Sequence, residues 1–182
     1  RHYDHTWIRA KAPADDNAAK PHYDIVFMGR GTQNVFTAWT PMMDIPQEMG
    51  GLIMLENSHK NERLIETYGR FDVDVYCNNY ADAPEIESGA KKWQGELGGA
   101  YTDDAFAVQD ELGGRWLTTD YKMGDVLIFS MYLMHASMDN HTGKFRISTD
   151  SRYQLASEPV DERWVGEKPV GHGPGGKKGM IC

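Results

Sequence analysis

The sequence predicts a mainly β domain, a barrel or sandwich with one helical excursion. Short segments rich in β-branched and aromatic residues, Gly and Pro turn signals between them, and one long, weakly periodic stretch carry this expectation. The 182 residues are the length of one domain with a real core, and 40% hydrophobic with 25% charged residues is an ordinary globular balance.

The elements follow in chain order. Thr6 to Ala12 reads as a strand closed by Pro13, and Asp24 to Met28 as a second, stopped by Gly29 and Gly31. Val35 to Thr40 is β-branched and aromatic and meets Pro41, as a strand end should. Leu52 to Leu55 follows the Gly50-Gly51 turn. Ser58 can cap a short helix through Lys60 to Thr67, ended by Gly69. From Phe71 to Gly114 the chain is rich in Asn, Asp and Gly, with a helical turn expected over Asp104 to Leu112. It is too long for a plain loop and reads as an insertion, a lid, with short helices. Strands resume at Arg115 to Tyr121, Asp125 to Met134 and Phe145 to Gln154. Residues 156–182 are Pro- and Gly-rich and read as a tail that packs on the domain without a core of its own.

Charge and composition exclude some partners. Net charge is −8, from 27 acidic against 19 basic residues, the wrong balance for tracking phosphates, so no nucleic-acid partner is expected. No apolar run is long enough to span a membrane. Cys77 and Cys182 lie far apart without metal-ligand spacing; a reducing, cytoplasmic setting is the expectation, with a single bridge left open. The chain starts at Arg1 rather than Met, and this expectation covers only the chain from there on. Oligomeric state is not legible.

Seven histidines are present, and the informative ones have a carboxylate at ligand spacing. In His22-Tyr23-Asp24, residues two apart on an extended chain point to one face, so an imidazole and a carboxylate enter one pocket. A second imidazole from a facing strand, His135, completes a facial triad with open coordination positions. His2-Tyr3-Asp4 repeats the tripeptide, but at the chain start and without a comparable strand context after it. Alternation along the last strand places Arg146, Ser148, Asp150 and Arg152 on one face. A buried Arg needs an anion. Arg152 can take Asp150, which leaves Arg146 for the carboxylate of a ligand, with Arg152 and Arg9 the next candidates.

The segments Thr37 to Pro46, Gly50 to His59 and Gly124 to Phe129, the block His135-x-Ser137 followed by Arg146-x-Ser148, and His22-x-Asp24 recur in family order. From about Thr6 to Gln154 the chain resembles the phytanoyl-CoA dioxygenase family. That resemblance implies a double-stranded β-helix (jelly-roll, cupin-like) domain over residues 1–155. It implies Fe(II), with 2-oxoglutarate as co-substrate, O2 as oxidant and ascorbate as a helper reductant. His22, Asp24 and His135 match the metal ligands, and Arg146 matches the arginine for the distal carboxylate of 2-oxoglutarate. Ser137 and Trp39 match positions lining that pocket, Trp7 falls near a further co-substrate contact, and Thr37 and Ser148 share the relevant faces. Trp39 and Trp7 as plain core aromatics is the competing reading. His59 is read as ordering a helix start rather than as a ligand. The implied activity is hydroxylation of a small organic substrate. A cupin-like metalloenzyme independent of 2-oxoglutarate and a non-catalytic small-molecule-binding barrel are the alternatives.

Overall fold

The computed structural model describes residues 1–73, 85, 88 and 99–171. Among the described residues, seven strands and three α-helices follow in chain order: β1 (Trp7–Lys11), α1 (Ile25–Met28), β2 (Phe36–Pro41), β3 (Leu52–Leu55), α2 (Glu62–Glu66), α3 (Ala105–Leu112), β4 (Trp116–Leu117), β5 (Leu127–Ser130), β6 (His135–Ser137) and β7 (Arg146–Tyr153). They form two antiparallel sheets, one of four strands ordered β1-β7-β2-β5 and one of three ordered β4-β3-β6. Trp39 and Phe129 from the first sheet meet Leu52 of the second in one buried cluster with Ile45, Met49 and Tyr121. This is the jelly-roll, double-stranded β-helix arrangement expected from the sequence, although among the described residues no continuous ladder closes it into a barrel.

The four-stranded sheet has an inverted polarity. Along β7, Arg146, Ser148, Asp150 and Arg152 are buried while Ile147, Thr149, Ser151 and Tyr153 face outward. The neighbours match it in register, with Lys11 opposite Arg146, Arg9 opposite Ser148, Trp39 opposite Asp150 and Thr37 opposite Arg152. On the outer side Ile8, Phe36, Ile128 and Tyr153 are exposed. Beyond the Trp39 cluster, apolar burial is concentrated around Tyr23, Val26, Leu55, Leu64, Met131, Met134 and Trp164.

Several expected elements form differently. Asp24 to Met28 is not a strand: Asp24 stands at the N-terminus of the helical turn α1, whose Ile25, Val26 and Met28 are all buried. A short, wholly buried apolar run does not reveal its period, which is why helix and strand look alike there. Ser58 does not cap a helix. Asn61 does, accepting from the Leu64 N–H at 2.9 Å, while Ser58 opens a short 3-10 turn. Of the expected strand from Asp125 to Met134 only β5, Leu127–Ser130, forms; a turn follows, closed by the Leu133 N–H on the Ser130 carbonyl, and β6 starts after it at His135. His135 thus begins a strand rather than ending one. Of Arg115 to Tyr121 only Trp116–Leu117 pairs as strand. Asp104 caps α3 as its place before the helix predicts, accepting from the Phe106 and Ala107 N–H groups. Residues 156–171 pack deeply on the domain, with Asp161, Arg163 and Trp164 fully buried. Most of the expected insertion, together with Cys77, Cys182 and His172, lies outside the described residues.

Ser58 instead ties the fold together. Its buried hydroxyl donates to the Leu55 carbonyl at 2.8 Å and accepts from the Met134 N–H at 2.9 Å, joining the end of β3 to the residue before β6. Ser58→Ala leaves both groups buried and unpaired, so unfolding free energy should fall by about 1–3 kcal/mol. Urea denaturation should show a lower midpoint with an unchanged slope.

Candidate metal centre

His22 and His135 are brought together by backbone pairing: each N–H donates to the other's carbonyl, at 3.0 and 3.1 Å. Between His22 and Asp24, Tyr23 points the opposite way into the core, where its hydroxyl donates to the Ser58 carbonyl. The tripeptide therefore divides between site and core as the spacing predicts, even though its last residue starts a helix.

The three ligand atoms lie within 4.8 Å of one another. Both imidazoles are oriented through Nδ1, which contacts a main-chain carbonyl: Lys20 for His22 at 2.7 Å and Leu133 for His135 at 2.9 Å. With Nδ1 protonated on those carbonyls, both Nε2 atoms carry lone pairs into the pocket. They face Asp24 Oδ1 at 3.7 and 3.8 Å, too far for hydrogen bonds. The other carboxylate oxygen, Oδ2, accepts from Thr37 Oγ1 at 2.5 Å and Arg152 Nη2 at 2.9 Å. Two unprotonated nitrogens and one anionic oxygen converge, a donor set that fits a divalent transition metal.

The electrostatics agree. Burial, with a smaller contribution from His135, pushes the His22 imidazole down to about 4, and burial likewise lowers that of His135, so both are neutral at pH 7. Burial alone would raise the Asp24 carboxyl, but Arg152, the two imidazoles and Thr37 hold it well below the usual carboxylate range.

The same cavity, of about 570 Å³, is lined by Trp7, Arg9, Lys11, Thr37, Trp39, Ser137, Arg146 and Arg152 as well as the triad. Arg146 is 4% exposed; it donates to Ser148 Oγ at 2.7 Å and to the Gly50 carbonyl at 3.1 Å, and its Nε has no partner. Gly50 can offer that carbonyl because it holds φ +81°, where an added Cβ would meet the Met138 and Asp139 carbonyls. Ser148 Oγ also accepts from Trp39 Nε1 at 3.0 Å. Ser137 Oγ accepts from Lys11 Nζ at 3.1 Å and from the Ala19 N–H at 2.8 Å.

Three details depart from the sequence reading. Thr37 spends its hydroxyl on Asp24. Arg152 bonds Asp24 rather than Asp150, which lies 4.0 Å away and pairs with Arg9 at 2.9 Å. Trp7 packs under the Arg152 guanidinium, 4.7 Å from ring centroid to Cζ. Lys11 went unforeseen: it is buried beside Arg146, and neither cation has a carboxylate in ion-pair contact among the described residues. Burial, then the nearby guanidinium, holds its ammonium below the ordinary lysine value. The signal was available, since Trp7, Arg9 and Lys11 alternate onto one face. The rejected repeat is elsewhere: His2 packs on Tyr153, and Asp4 accepts from the Gly166 N–H. His59 and His141 are exposed.

No curated protein matches the chain. Among solved structures it is similar to the epimerase SnoN from nogalamycin biosynthesis in complex with Fe3+, alpha ketoglutarate and nogalamycin RO, at 20% identity and TM-score 0.57, covering 94% of this chain and 60% of that one. It is also similar to the carbocyclase SnoK of the same biosynthesis (17% identity, TM-score 0.57, covering 87% and 51%). A third is EctD from S. alaskensis in its apoform (16% identity, TM-score 0.57, covering 97% and 55%). The chain thus spans between about half and three fifths of these proteins, and at such identities the likeness speaks to the fold. The family model described as phytanoyl-CoA dioxygenase (PhyH) matches residues 1–148, most of the sequence. The chain belongs to the phytanoyl-CoA dioxygenase family.

Proposed function

We propose that this chain is an Fe(II)- and 2-oxoglutarate-dependent dioxygenase that hydroxylates a small organic substrate, releasing succinate and CO2. The observation that carries the reading is one cavity holding both a three-atom metal cradle and two buried cations with no carboxylate in ion-pair contact among the described residues. His22 Nε2, Asp24 Oδ1 and His135 Nε2 would hold the metal. Arg146 and Lys11 would take the distal carboxylate of 2-oxoglutarate, with Ser148, Trp39 and Ser137 fixing their positions. Bound there, iron and 2-oxoglutarate supply the oxidising power: dioxygen is reduced, the keto acid loses CO2, and one oxygen atom ends on a substrate carbon.

The protein's own work is orientation and exclusion of water. The carbonyls of Lys20 and Leu133 keep both imidazoles turned to the pocket, and the rings of Phe27 and Phe129 pack against them. An intact Asp24 favours hydroxylation, because a small residue in its place would free a position for halide. SnoN and SnoK are described as an epimerase and a carbocyclase; this fold therefore also serves other outcomes.

The reading is tested by incubating the protein with Fe(II), ascorbate and 2-oxoglutarate and measuring succinate. Slow release without substrate is expected, lost on His22→Ala, Asp24→Ala or His135→Ala. Release that survives all three changes refutes it, and metal binding without any succinate, even across a panel of candidate substrates, favours the binding-barrel alternative.

Two further outcomes follow. Losing one side of a desolvated charge pair costs about 2–5 kcal/mol, so Arg146→Gln should weaken 2-oxoglutarate binding by roughly 30-fold to several thousand-fold. Lys11→Met should weaken it by at least about tenfold, both followed anaerobically by the metal-to-ligand charge-transfer band, with metal affinity near normal. The second concerns pH. Protons compete with metal for the imidazoles, and His22 is depressed to about 4, so its loss of metal on acidification comes as pH falls through that range. Burial lowers His135 as well, so Co(II) affinity should fall less between pH 8 and about 6 than at a site of unperturbed histidines, near 6.5.

A further inference from the structure

We propose that Arg152 is a positioning residue for Asp24: an internal counter-ion that binds the outer oxygen of the buried carboxylate and leaves only the inner one to the pocket. The proposal rests on the reading of Asp24 as a metal ligand. Arg152 is 2% exposed, and a guanidinium there needs compensation. Its hydrogen bond, from Nη2, goes to Asp24 Oδ2 at 2.9 Å, while Nε and Nη1 are buried without a partner. Asp150, the other carboxylate in reach, is 4.0 Å from Nη1 and is engaged by Arg9 at 2.9 Å.

Two neighbouring elements hold Arg152 in this pose. Trp7 of β1 lies against its guanidinium at 4.7 Å. Thr37 is its register partner on β2, so the two donors stand side by side on adjacent strands and converge on one oxygen. With Oδ2 taken twice, the carboxylate presents Oδ1 alone to the imidazoles. Arg152 therefore differs in task from Arg146, six positions earlier on the same face, whose hydrogen-bond partners are both neutral.

This arrangement has a measurable signature. A metal and Arg152 both compensate the same carboxylate, so each should matter less when the other is present. Without metal, Arg152→Gln strands a buried charge and should lower the melting temperature by roughly 6–20 °C. Saturating Co(II) should recover most of that loss, so the Co(II)-induced rise becomes larger in the variant than in wild type. Adding Asp24→Asn to Arg152→Gln should recover the metal-free midpoint, because a neutral pair needs no counter-ion. Arg152→Lys, which keeps the charge but not the flat stack on Trp7, should fall between.

A loss of equal size with Co(II) and in the double variant would mean that Arg152 merely packs, and no loss at all would mean that it carries nothing; either result overturns the proposal. If Arg152→Gln does not accumulate folded, the double variant decides: folding supports the counter-ion role and failure contradicts it. Should Co(II) fail to bind wild type, the metal reading falls, while rescue by Asp24→Asn still judges the ion pair by itself.

Discussion

The site is organised by the division of one buried carboxylate. Asp24 has two oxygens and is 3% exposed. Oδ2 is held by Thr37 and Arg152, and Oδ1 faces two imidazoles. For both to be true, β2 and β7 must lie in register, α1 must begin at Asp24, and β6 must begin at His135 beside His22. An unpaired charge at this depth would cost several kcal/mol, so the protein contacts that hold the outer oxygen are conditions for having the carboxylate there at all.

The inverted polarity of the four-stranded sheet follows from the same requirement. Its inner face carries Arg146, Ser148, Asp150 and Arg152 on β7, flanked by Lys11 and Thr37, where an ordinary sandwich would place aliphatic side chains. Part of this charge is compensated internally, through Arg152 with Asp24 and Arg9 with Asp150. Arg146 and Lys11 have no carboxylate in ion-pair contact among the described residues, only the more distant Asp150 for the first and Asp139 and Asp15 for the second, and burial works against both charges. A dicarboxylate would supply what the pair lacks. Stability meanwhile comes from an apolar core beside the site, where Trp164 packs with the residues around Tyr23 and Met134.

Much of this was legible in the residues. Alternation along Arg146 to Arg152 put four polar side chains on one face, and the structure places them there. His22 and Asp24 were readable as a pair because the spacing of two survives the change from extended chain to helix between them. What could not be read was partner choice. Arg152 takes Asp24 rather than the nearer-in-sequence Asp150 because strand register, a long-range property, brings Thr37 opposite it. For Lys11 the shared face with Trp7 and Arg9 was legible, but not which way that face turns. A lysine at a strand end usually snorkels to water, and only the pairing of β1 with β7 turns it inward beside Arg146. The depth to which Trp164 packs was unreadable for the same reason, since local composition around it looks like loop while its burial depends on distant residues.

Anomalous scattering at the iron edge, from crystals loaded anaerobically with Fe(II) and 2-oxoglutarate, tests the central claim most directly. The account predicts one peak, bonded to His22 Nε2, His135 Nε2 and the single oxygen Oδ1 of Asp24, with Oδ2 still on Arg152 and Thr37. A peak elsewhere, or iron that draws both Asp24 oxygens away from Arg152, would contradict it.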